Sequence, residues 1–200
     1  KKQIEDQLEF YSTVRTIRSI EQSDVCMLLI DAQSGMERQD QSIFWQIVNS
    51  FRGVVIVVNK WDLIDKNHQT MAEYEEAIRE KISPFTDVPI LFTSNLTKQR
   101  ILKAFEMAMK VNENRSRKIS TSKLNDFLLP LIEHQPPPMY KGKMVRIKYV
   151  TQIPSQTPTF AFYCNLPQYV KDPYKRFLKN NIRQAYDLTG VTIRLFFREK

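Results

Sequence analysis

The sequence predicts an α/β protein: a parallel sheet with helices on both faces, followed by a small α+β domain. Three observations carry that prediction. Near-continuous apolar runs at 24–31, 54–59 and 88–93 alternate with helical stretches in the first half. Charge divides the 200-residue chain: residues 1–110 hold 14 Lys/Arg against 16 Asp/Glu, a balance of −2, and residues 111–200 hold 16 against 6, a balance of +10, which together make the net +8. Between the halves, 112–123 (NENRSRKISTSK) contains one apolar residue, Ile119, and reads as a linker. The expected domains are therefore 1–112 and 119–200.

In the first half, DVCMLLID (24–31), VVIVVN (54–59) and VPILFT (88–93) read as strands. Runs apolar at every position suit a parallel sheet covered on both faces. Helices are expected at 7–20, 37–50, 70–82 and 98–110, the last with Ile101, Leu102, Phe105, Ala108 and Met109 on one face. Such alternation makes a doubly wound sheet, in which ligands bind beyond the carboxyl ends of the strands.

In the second half, Leu124, Phe127, Leu128, Leu131 and Ile132 form a helical stripe after Ser120-Thr121-Ser122, with Pro130 expected to kink or shorten the helix. Lys143–Thr151 alternates as a strand, with Val145, Ile147 and Tyr149 on one face and Arg146 and Lys148 on the other. QIPSQTP (152–158) then leads into a second strand, 158–165. Asp172-Pro173 starts a helix with Tyr174, Phe177, Leu178, Ile182 and Ala185 on its apolar side, and Gly190 reads as its stop. Val191–Arg198 closes an α-β-β-α-β order.

Composition excludes several classes. The four glycines (35, 53, 142 and 190) are too far apart for a glycine-built phosphate loop or dinucleotide turn. No apolar run approaches the ~18 residues of a membrane span, so no membrane partner is expected. Cys26 and Cys164 sit in apolar runs, which points to a reducing cytoplasm. His68 and His134 have no metal-ligand spacing, so no metal site is expected.

The sharpest signal is Asn59-Lys60-Trp61-Asp62, directly after VVIVV. Guanine presents adjacent N–H donors at N1 and N2, and one carboxylate accepts both. Asp62 is assigned that job. The Lys60 stem can lie along the base with its ammonium in water, and the Asn59 amide can tie neighbouring loops together. Asn-Lys-x-Asp after a buried strand resembles the guanine-specificity motif of Ras-like GTPases, which are P-loop NTPases. The resemblance implies a partial Ras-like sheet that binds GTP or GDP. It also implies that the loop Ser94-Asn95-Leu96 meets guanine O6 through a backbone N–H, with Asn95 standing where the family has alanine. Leu28-Leu29-Ile30-Asp31-Ala32 is similar too, with Asp31 as a loop organiser. The phosphate loop, the magnesium-binding switch threonine and the Asp-x-x-Gly turn are not found in 1–110. The resemblance therefore places no catalytic residue and no Mg²⁺ ligand in this chain, and implies a longer native protein that supplies both.

The second half resembles the C-terminal KH-like domain of the Der (EngA) GTPase family. The resemblance rests on PPP-x-x-x-G-K (136–143), Tyr174-Lys175-Arg176-Phe177-Leu178 and Ile193-Arg194-Leu195-Phe196-Phe197-Arg198. It implies GTP hydrolysis coupled to assembly of the large ribosomal subunit, with that subunit or its RNA as partner, and packing against the GTPase regions that precede the chain. No two glycines make a GXXG clamp, so RNA contact would rest on Arg146, Lys148, Lys175, Arg176, Lys179, Arg183 and Arg194. The competing reading is a non-enzymatic basic adaptor for ribosomal RNA or protein, in which Asn59–Asp62 is only a surface turn.

Overall fold

The computed structural model describes residues 13–65, 69–140 and 142–199. His68 and the first part of the helix expected at 7–20 lie outside them. The chain forms two compact units: one reaches Glu113 and includes Thr189–Val191, and the other holds Asn114–Leu188 and Thr192–Lys200.

The first unit runs α1 (13–22), β1 (Val25–Asp31), α2 (Arg38–Asn49), β2 (Gly53–Asn59), α3 (Thr70–Lys81), β3 (Ile90–Phe92) and most of α4 (Ile101–Ser116), whose last three residues belong to the second unit. The sheet order is β1-β2-β3, all parallel. β2 is central, and its alternate side chains serve two cores. Val54, Ile56 and Val58 join Phe44, Ile47 and Ile78 on one face, while Val55 and Val57 join Leu91, Ala104 and Val111 on the other. This double burial is why the run is apolar at every position. β3 is shorter than the expected 88–93, yet its ladder continues past both ends: Ile56 N donates to Pro89 O at 2.9 Å and Thr93 N to Val58 O at 2.8 Å.

The expected face of α4 is corrected. Ala104 and Val111 are buried, with Met107 and Ala108 packed beside them, whereas Leu102, Phe105 and Met109 are 78%, 57% and 67% exposed. Small residues let the helix approach the β-branched sheet surface, and the larger apolar side chains face outward. The linker expectation is corrected too, because α4 continues to Ser116 and only 117–120 separate it from the next helix. Asn114 and Arg115 are buried. Their polarity is absorbed by specific partners: Arg117 donates to Asn114 Oδ1 at 2.8 Å, and Arg115 Nη2 donates to Gln156 O at 3.0 Å.

The second unit contains α5 (Thr121–His134), β4 (Ile147–Ile153), β5 (Thr159–Cys164), α6 (Asp172–Tyr186) and β6 (Arg194–Glu199), which is the expected α-β-β-α-β order. The sheet order is β4-β5-β6, with β4 antiparallel and β6 parallel to β5. Leu124, Leu128 and Ile132 of α5 and Leu178 and Ile182 of α6 share one core with Phe160 and Phe162. α5 runs through Pro130 without being shortened, because buried residues anchor it on both sides of an exposed proline. Ala185 is exposed, not part of the apolar side of α6.

β4 begins later than expected and carries a bulge between Ile147 and Tyr149. The extra residue flips the pleat. Val150 takes the core position, and Tyr149 turns onto Tyr163, with ring centroids 4.4 Å apart and planes 4° apart. Upstream, the Asn165 side chain replaces the ladder by accepting from Arg146 N at 2.8 Å and donating to Met144 O at 3.1 Å.

Gly190 does not stop α6, which ends at Tyr186 with Asp187 left-handed at φ 46°. The glycine serves the first unit instead. Its O accepts from Val54 N at 2.9 Å and its N donates to Asp87 O at 2.8 Å. Its φ is +75°, and a Cβ there would lie 2.7 Å from Val111 Cγ2 and 2.9 Å from Val54 O. Gly190→Ala is expected to destabilise the protein by about 2–4 kcal/mol in denaturant titration. Gly142→Ala, at φ +72° with nothing within 4 Å, should cost only about 1 kcal/mol. Equal costs would contradict the close-packing account.

Candidate functional site

The site is made by strand register. β1 pairs with β2 through Asp31↔Asn59, and β2 with β3 through Val58↔Phe92, so the three carboxyl ends finish side by side. The first polar residues after the apolar runs are Asp31, Asn59 and Thr93, and they meet there. Ala32 N donates to Asn59 O at 2.9 Å, and Thr93 Oγ1 donates to Asn59 Oδ1 at 3.4 Å. Asn59 thus ties the ends of β1 and β3 to β2.

The chain then turns sharply. Lys60 is left-handed (φ 60°, ψ 32°) and is followed by a 3-10 turn, Trp61–Leu63. That conformation costs a non-glycine residue roughly 1–2 kcal/mol. It is held by Trp61, which is 2% exposed and packs on Phe92 at 4.4 Å and edge-on to Tyr74 at 5.4 Å. Trp61 N also donates to Thr93 O at 3.0 Å. With Trp61 fixed, Asp62 follows at the sheet's mouth. It is half-buried, and its carboxylate has no hydrogen bond or ion pair among the described residues.

Lys60 Nζ contacts Asp31 Oδ2 at 2.5 Å, with the side chains 53% and 34% exposed. Asp31 Oδ1 also accepts from Gln33 N at 2.9 Å. The Lys60 hydrogen bond foremost, then the Gln33 N–H, holds the Asp31 carboxyl below its ordinary value of 3.8. Asp31 organises its loop, as expected, and also orients the Lys60 stem. Burial raises the Tyr74 hydroxyl, which donates to Ala32 O at 2.8 Å.

On the β3 side, Ser94 is buried and Asn95 exposed. Ser94 N donates to Gln99 O at 3.2 Å, Gln99 N donates back at 3.0 Å, and Ser94 Oγ accepts from Thr97 N at 3.1 Å, closing a tight loop. Lys98 and Arg100 in that loop are left-handed. Asn59, Lys60, Asp62 and Ser94 therefore gather at one mouth, with Asn95 on the adjoining loop. Sequence reasoning missed Thr93 and the Lys60–Asp31 pair. The carboxyl-end position shared by all three strands was the available signal for Thr93.

The basic residues of the second unit do not form one compact patch. Arg146 and Lys148 are exposed at the start of β4. Lys175, Lys179 and Arg183 are half-buried along α6, where Lys175 pairs with Asp172 at 2.9 Å and Arg176 is exposed. Burial, then Arg183 and Lys175, lowers the Lys179 ammonium. Arg194 stands over the Phe196 ring at 5.4 Å. It pairs with Thr159 at one end of β5, while Ile147 pairs with Cys164 at the other, about 17 Å away at 3.3 Å per residue. Among the described residues, no group of three or more His, Cys, Asp or Glu could hold a metal ion, and no helix is long and apolar enough to cross a membrane. Neither Cys26 nor Cys164 is in a disulfide.

Residues 9–132 match the family model of the elongation factor Tu GTP binding domain, and residues 118–198 match the KH-domain-like C-terminal module of EngA bacterial GTPase enzymes. The chain is 56% identical over 200 residues to GTPase Der of Christiangramia forsetii and 54% identical over 202 residues to GTPase Der of Bacteroides fragilis. In each case the alignment takes in 100% of this chain and 46% of the relative. The chain thus spans about half the length of these relatives. A solved structure of Era from Aquifex aeolicus bound to GDP·AlF4− aligns with a TM-score of 0.41 at 16% identity, over 92% of this chain and 68% of that one. With a GTP-binding-domain match over its first part and the EngA module over its second, the chain belongs to the Der (EngA) family of GTPases.

Proposed function

We propose that the chain supplies the guanine-reading end of a GTPase domain and the KH-like module of a cytoplasmic ribosome-assembly GTPase. The observation that carries this reading is half-buried Asp62, in the turn directly after β2 and with no hydrogen bond or ion pair among the described residues. Two acceptor oxygens of one carboxylate match the N1 and N2 donors of guanine, and adenine has no such pair. The Lys60 stem, steered by Asp31, covers one face of the base. A backbone N–H of the Ser94–Asn95 loop meets O6. Asn59 fixes the loops that carry these groups.

Catalysis in this reading belongs to residues that the 200 do not include. Phosphoryl transfer is stabilised by a phosphate loop and by Mg²⁺, which neutralises developing charge on the phosphates. Four widely spaced glycines offer no such loop. The basic second unit is read as the contact to ribosomal RNA of the large subunit. The surplus of ten positive charges in residues 111–200 matches a polyanion.

Three outcomes are expected. In the full-length protein, Asp62→Asn should weaken GDP binding by about 10- to 100-fold and improve binding of the xanthine nucleotide, whose carbonyl replaces the N2 amine. Unchanged guanine preference in competition titration would remove the base-reader assignment. The 200-residue chain alone should show no GTP turnover in a phosphate-release assay, and measurable turnover would contradict the division of labour. By carboxyl NMR titration, Asp31 should have a midpoint below 3.8 that rises towards it in Lys60→Met. The sign follows from linkage: the pair's contribution is whole above 3.8 and is lost as pH falls through the lower folded value.

A further inference from the structure

The second unit carries an aromatic stack outside the residues discussed so far. Tyr140 opens a tight turn in which Tyr140 N donates to Lys143 O at 3.0 Å and Lys143 N to Tyr140 O at 2.9 Å. Tyr169 ends the 3-10 turn Pro167–Tyr169 and rests partly on the core. The two rings stack with centroids 4.7 Å apart and planes 27° apart. Lys171 Nζ stands over the Tyr140 ring at 4.6 Å, and Lys143 Nζ over the Tyr169 ring at 6.0 Å. Each ring's inner face is taken by the other ring, so the ammonium groups occupy the outer faces. The result is a layered Lys171–Tyr140–Tyr169–Lys143 sandwich.

Two facts separate this from an ordinary loop fastening. The loop is already tied down after the turn by the Asn165 side chain, through Arg146 N and Met144 O. Both lysines are exposed, and neither has an ion pair among the described residues. Two cations without an ion pair among the described residues are therefore held against an aromatic pair that Tyr169 anchors on the core. Nucleobases seek a π-face and phosphates seek cations, and a single strand offers both at short spacing. Lysine stems are flexible enough to swing from ring face to phosphate as a base takes their place.

We propose that Tyr140 and Tyr169 form a base-stacking site for single-stranded RNA, with Lys143 and Lys171 on the flanking phosphates. The site deepens the RNA-contact reading above, rests on it, and uses none of the basic residues expected from sequence.

The test is fluorescence anisotropy of the 200-residue chain with a labelled oligouridylate of about 10 nucleotides and with an abasic strand of the same length. Tyr140→Leu and Tyr169→Leu should each weaken oligouridylate binding by about 5- to 100-fold and leave abasic binding within about two-fold of the unsubstituted chain. Tyr140→Phe, which keeps the π-face, should retain affinity within about two-fold. Lys171→Gln, which barely perturbs packing, should lower the slope of log affinity against log salt by about one. If the unsubstituted chain binds RNA and the leucine variants, folded by circular dichroism, bind equally well, the site is wrong and the RNA reading stands. Equal losses on both strands would mean charge contact without stacking, as for an acidic protein partner, and would overturn the site. No RNA binding by the unsubstituted chain would overturn both readings.

Discussion

The in-register pairing of β1, β2 and β3 at their carboxyl ends is the constraint on which the first unit's chemistry depends. β2 is buried on both faces, so it has no polar side chain to offer until Asn59. Register then decides which polar residues become neighbours: Asp31 on one side and Thr93 on the other. A slip of one residue in either pairing would turn alternate side chains to the wrong face and separate these groups. The left-handed turn at Lys60 is affordable because Trp61, next in sequence, is anchored in the aromatic cluster with Phe92 and Tyr74. The core thus sets where the turn stands, and the turn sets where Asp62 stands.

Much of this was legible from the chain alone, for physical reasons. A strand buried on both faces announces itself by continuous apolar character, and VVIVVN and DVCMLLID did so within a residue or two. The Asn-Lys-x-Asp cluster was legible because it combines residue type with position after such a strand. The face of α4 was not. Its large apolar residues fall on a helical stripe, but the sheet surface of Val55 and Val57 accepts the neighbouring stripe of smaller ones. Periodicity reports that a stripe exists, not which stripe fits the facing surface. The stretch 112–123 misled for a related reason: composition counts polar residues but cannot see Arg115 finding Gln156 O or Gln152 bonding to Ile119 N and Arg117 O.

Two further features needed three dimensions. The bulge in β4 reassigns Tyr149 and Val150 between faces, and no residue there marks it. Gly190 reads as a helix stop from its place in sequence, yet the structure uses its missing side chain. It sits where Val54 O, Val111 and Pro89 leave no room for a Cβ. Likewise Lys60, expected only over the base, is steered by Asp31, 29 residues earlier. Long-range partners of exposed charges are set by topology, which single-sequence patterns do not encode.

The most direct measurement of the central claim is the affinity of the full-length protein for GDP against inosine diphosphate, which lacks only the N2 amine. If the Asp62 carboxylate accepts from both N1 and N2, removing one donor leaves an acceptor oxygen unpaired, and inosine diphosphate should bind about 10- to 100-fold more weakly. Equal affinity for the two nucleotides would contradict the account, because a carboxylate that does not feel the loss of the amine is not reading that edge of the base.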